Sequence, residues 1–129
     1  MQSGKVKIVL HIFSGRPDPE WELTEQQVDE LKNLLKDAPE IGEVGMESLE
    51  GGLGYQGFAI YNEEEREDIP SEVEAFKDRL FITEVRTDAL SGDRVQVNRM
   101  YQDKNKLEKW LLEQAKKQGY EEILKVFSV

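Results

Sequence analysis

Residues 5–13 carry apolar side chains on both faces of an extended chain, and this run restricts the fold more than anything else in the sequence. Val6, Ile8, Leu10 and Ile12 point one way, and Val9, His11 and Phe13 the other. A strand apolar on both sides must be covered on both, by the rest of the chain or by a partner. It runs into a stiff connection. Pro17 and Pro19 fix their own φ and push Arg16 and Asp18 towards extended conformations, while Gly15 permits a tight turn.

A helix follows at once. Thr24 and Gln27 make a capping-box pair, Leu23 and Val28 are spaced as a hydrophobic staple, and Val28, Leu31, Leu34 and Leu35 form one apolar stripe. Glu25, Asp29 and Glu30 suit the positive end of the helix dipole, and Pro39 ends the run.

Beyond it, residues 40–54 are acidic, glycine-rich and expected to be irregular. Phe58, Ala59, Ile60 and Tyr61 form a second short strand. Ser71 and Glu74 repeat the capping-box spacing, and Val73, Phe76 and Leu80 keep helical intervals, which predicts a short helix near 72–78. Residues 80–87 and 94–101 alternate as a hairpin around a turn at 88–93. Asp103 caps a last long helix that closes at Gly119, and the apolar tail 120–129 is expected to dock on the core or on a second subunit. The order predicts a single α+β domain over 1–129. Its expected architecture is a two-layer sandwich: a small mixed or antiparallel sheet of about four strands packed by two main helices.

Charge narrows the function classes. The net charge is -10, with 11 acids against 2 bases in residues 18–50 and 6 against 1 in residues 63–72. Nucleic-acid binding is not expected, because phosphate contacts come from Lys and Arg. An acidic face either keeps the chain soluble or meets a basic protein. No apolar run approaches the length of a membrane span, no apolar signal segment opens the chain, and there is no cysteine, so a cytoplasmic protein without disulfides is expected.

The candidate binding residues lie around the stiff connection: His11, Ser14, Arg16, Asp18 and Trp21, with Tyr55 beside the second glycine-rich stretch at 51–57. Arg16 can hold a carboxylate or phosphate bidentately, or pair internally with Asp18 or Glu20. Trp21 is an interface anchor or a cap on the sheet edge. His11 is the only histidine, and no second group completes a triad with it or with Ser14. The 51–57 stretch lacks the Lys-Ser/Thr of a phosphate loop and precedes a strand. Asp18, Glu20, Glu22 and Glu25 lack the EF-hand order. No metal or cofactor is therefore expected, and no catalytic residue is assigned.

Two functional expectations follow. One is a small acidic, non-enzymatic binding or accessory protein that presents residues 16–21 to a protein partner, in particular a basic one. The other is a small-molecule binder or enzyme with its site between residues 15–21 and 51–57, where Arg16 holds an anion and His11 or a carboxylate near it carries a proton. A homodimer through the tail or the first strand is compatible with both.

Overall fold

A computed structural model describes residues 5–12, 18–43 and 57–126. Its centre is one seven-stranded sheet in which every neighbouring pair is antiparallel. In chain order the strands are β1 (Val6–Leu10), β2 (Glu20–Glu22), β3 (Glu40–Glu43), β4 (Phe58–Asn62), β5 (Glu72–Phe76), β6 (Arg79–Thr87) and β7 (Arg94–Gln102). In space they run β2-β1-β4-β5-β6-β7-β3. Helix α1 (Glu25–Leu35) connects the two edge strands. Helix α2 (Leu107–Ala115), a π-helical turn (Lys116–Tyr120) and α3 (Glu121–Val126) form one helical run of 20 residues, kinked at Gly119.

This corrects the sandwich of about four strands and two main helices. The described residues are mostly sheet, with one short helix and one kinked 20-residue run. The extra strands were hidden for identifiable reasons. β2 is only Glu20-Trp21-Glu22, too short to show a period. β3 lies in the acidic stretch expected to be irregular. Residues 72–78, expected as helix, are β5 and its turn. Val73 and Ala75 alternate into the core there, and Lys77 and Asp78 both take left-handed φ (53° and 63°) in a two-residue hairpin turn to β6. Ser71 and Glu74 match a helix cap only by spacing.

The local helix signals behave as their chemistry dictates. Thr24 Oγ1 accepts from the Gln27 N–H (3.2 Å), and Gln27 Oε1 accepts from the Thr24 N–H (2.9 Å). Asn105 Nδ2 donates to the carbonyls of Leu34 and Lys36, so the last turn of α1 is closed from the α2 side. Asp103, buried, accepts from the N–H groups of Leu107 and Glu108 at 2.7 and 3.0 Å. One apolar cluster joins Val6, Ile8, Leu10 and Ile12 to Phe58, Ile60, Val73 and Leu80. The same cluster takes in Val28 and Leu31 of α1, Leu107 and Leu111 of α2, and Leu124 of α3. Of the tail, Leu124 is fully buried while Val126 is 76% exposed, and residues 127–129 lie outside the described residues.

Candidate functional site

The stiff connection leaves β1 and returns as β2, so its two described ends lie side by side. The Leu10 N–H donates to the Pro19 carbonyl at 2.9 Å. Asp18 closes this end. One carboxylate oxygen accepts from the Ile12 N–H and the other lies 3.1 Å from His11 Nδ1. A carboxylate only accepts, so Nδ1 is the donor in this contact. His11 is partly exposed, and its N–H donates to the Gly57 carbonyl at 3.0 Å, tying β1 to the start of β4.

Trp21 goes to the core. It is 8% exposed, edge-on to Phe58 at 6.3 Å between ring centres and tilted against Tyr120 at 5.9 Å. Its indole N–H is buried with no hydrogen-bond partner among the described residues. Ser14, Arg16 and Tyr55 lie outside the described residues, as do residues 15–17 and 51–56. The structure therefore brings His11 and Asp18 together and sets Trp21 apart from them in the core.

A polar sheet face extends from this point. The register aligns Lys7 with Tyr61 and Tyr61 with Glu72. The Lys7 ammonium sits 5.9 Å from the Tyr61 ring centre. Burial, then Glu72 and Glu74, push the Tyr61 phenol up. Burial and Glu74 likewise push the Glu72 carboxyl up, against the opposing effect of His11. Among the described residues, no group of three His, Asp or Glu side chains is placed to hold a metal ion.

The second constellation was not anticipated. Asn62, at the end of β4, organises the connection to β5. Its Nδ2 donates to the carbonyls of Arg66 and Ile69, and its Oδ1 accepts from the Arg66 N–H at 2.8 Å. The Arg66 side chain, 2% exposed, binds both carboxylate oxygens of Asp68 and reaches Glu25 at the start of α1. Hydrogen bonding from Arg66 holds the Asp68 carboxyl down at about 2 despite its partial burial, with further help from Lys32. This braced loop forms one wall of a cleft of about 520 Å³, and β6 and β7 form the other through Glu84, Val85 and Arg94. Arg94 bridges the mouth to Glu65 at 3.0 Å. The sequence signal was a lone arginine among six acids in residues 63–72.

The hairpin continues past the sheet. β5 pairs with β6 only as far as Thr83, and β3 with β7 only as far as Arg99. Among the described residues, 84–98 therefore form a two-stranded ribbon, reaching roughly 14 Å beyond Thr83 on the β6 side at about 3.4 Å per residue. Its tip is fixed by Asp88, whose Oδ1 accepts from the N–H groups of Leu90 and Ser91, pulling its carboxyl below the usual range. The Asp88 N–H closes the turn on the Asp93 carbonyl at 2.7 Å. Leu90 stands 99% exposed on this ordered turn. The large apolar side chains exposed among the described residues are Ile41, Val85, Leu90, Val95 and Val126, and all but Val126 lie on β3 or this hairpin. An apolar residue inside the 88–93 turn was the sequence signal for this surface.

No protein-family model, curated protein or solved structure matches the chain. Among the described residues, no helix is long and apolar enough to cross a membrane.

Proposed function

We propose that this chain is a non-enzymatic binding protein that docks on a protein partner through its projecting β6–β7 hairpin. The observation that carries this reading is Leu90, 99% exposed on a turn already ordered by Asp88, with Val85 and Val95 exposed on opposite faces of the ribbon behind it. A single exposed apolar residue is ordinary on a broad surface, but Leu90 is held out by hydrogen bonds on the tip of a projecting ribbon, where a partner can enclose it. A pre-ordered tip lowers the entropy lost on docking. The hairpin takes this role in place of residues 16–21, because Trp21 is spent on the core and Asp18 is bound to His11.

The test is a photo-crosslinking residue at position 90 in the protein expressed in its own cells, with one at exposed Glu30 on α1 as control. A discrete adduct from position 90 alone is expected, and Leu90→Asp should lose partner capture with stability unchanged within about 0.5 kcal/mol. Discrete adducts from Glu30 and none from position 90 would refute the assignment.

A further inference from the structure

We infer that the open edge of β6, beside the acidic cleft, receives an extended basic segment of the partner as an added strand. This rests on the reading of the hairpin as a docking surface and names what docks there.

The register fixes which backbone groups are open. Phe76 and Arg79 flank the two-residue turn, so they form a hydrogen-bonded pair, and residues 79, 81 and 83 turn their N–H and C=O groups to β5. The bond from the Asp88 N–H to the Asp93 carbonyl sets the same phase from the other end, with 84 and 86 turned to β7. Val85 and Thr87 consequently point their backbone groups to the β5 side. Among the described residues, β5 has nothing opposite them, because its pairing begins at Glu72–Thr83. The chain before β5 cannot extend the ladder normally. Continuing the β5–β6 register would put Pro70 opposite Val85, and Pro70 has no N–H to offer it. The result is a strand edge with unmatched donors and acceptors, facing a cleft held open by the Asn62 and Arg66 braces. Such an edge is a template for another extended chain.

Charge selects the occupant. The lining includes Glu65, Glu67, Asp68 and Glu84 against Arg66 and Arg94. Arg66 is already bound to Asp68 and Glu25, and Arg94 meets Glu65 only through an exposed pair that an incoming cation can displace. A second copy, itself at -10, would bring a like-charged cleft to this edge. A small molecule would find a wall of carboxylates rather than the largely apolar lining such ligands use. Lys or Arg at alternate positions of an added strand meets both the carboxylates and the open backbone.

The experiment is selection of a random-octapeptide display library on the intact protein. Binders should alternate Lys or Arg with other residues, and should weaken as about 1 M salt shortens the screening length to about 3 Å. Val85→Pro removes an outward N–H and leaves the β7 ladder, whose bonds come from 84 and 86, so it should fold and weaken the binders about tenfold or more. Glu67→Lys, at an exposed position, should weaken them without touching the backbone. Failure to select any peptide, binders without basic residues, or binders indifferent to both variants would overturn the inference. So would a dimer seen by sedimentation that Val85→Pro dissociates, which would give the edge to a second copy. If no peptide is selected but crosslinking at position 90 persists, strand addition fails and hairpin docking stands. If peptides bind and position 90 is silent, the failure belongs to the tip.

Discussion

Replacing Gly57 by alanine should unfold more of this protein's stability than its size suggests. Gly57 has φ +87°, and a Cβ there would fall on the Ala75 carbonyl oxygen and 2.8 Å from Phe76 Cβ. Both are parts of β5, paired to β4 and β6, so neither can swing aside as a side-chain tip could. Left-handed backbone costs a residue with a Cβ about 1–2 kcal/mol. Forcing atoms into a packed site adds about 1–3 kcal/mol. The sum is about 3 kcal/mol, a large part of the roughly 5–15 kcal/mol that holds a domain together. At about 4 °C per kcal/mol, the midpoint should fall by about 12 °C. Gly119→Ala is the control, since Gly119 also has positive φ (+99°) but nothing lies within 4 Å of its Cβ position. It should lose only the conformational part, about 1–2 kcal/mol. Urea melts of both variants, with the His11 backbone amide resonance followed because the Gly57 carbonyl accepts from that amide, decide the matter. Equal losses in the two variants would refute the steric argument.

Trp21→Ala should cost about 3–5 kcal/mol, whereas Trp21→Phe should cost clearly less, because phenylalanine keeps the ring contacts and removes an indole N–H that is buried without a partner among the described residues; urea melts giving equal losses would contradict this. In acid, Asp68 sets a window: its carboxyl is held at about 2 in the folded protein against 3.8 ordinarily, so its contribution is complete above pH 4 and is lost as pH falls from about 4 to about 2. Allowing for solvent at the cleft, that contribution is on the order of 1 kcal/mol. Arg66→Gln should flatten the acid limb of a stability–pH curve, and an unchanged limb would remove Asp68 as its source.

What could be read from the sequence was what neighbouring residues decide among themselves. Thr24 and Gln27 close their cap within three residues, so α1 was legible before any tertiary contact was known. The hairpin of β6 and β7 was legible because its alternation is long. β5 was misread because Val73, Phe76 and Leu80 satisfy a helical interval while the fold uses Val73 and Ala75 at a strand interval. Nothing in Lys77-Asp78 resembles the Asn-Gly of a tight hairpin, yet that pair makes the turn. Sheet neighbours distant in sequence, such as β3 beside β7, leave no local trace. At the site, His11 and Asp18 were both singled out, but their bond depends on β2 folding back, which three residues could not announce.

The strand order has a consequence for a chain made from one end. β4 to β7 form a run of consecutive hairpins, each able to close as it is completed; β1 can join β4 as soon as that strand is made, whereas β3 must wait for β7 at the far end of the run. Glu40 pairs with Tyr101, 61 residues later. At roughly 5–20 residues per second, that partner is synthesised roughly 3–12 s after Glu40. Through this interval β3 waits for β7, whereas β1 can already pair with β4, complete at Asn62. The β3 edge of the sheet is therefore the last to close, once β7 has been made.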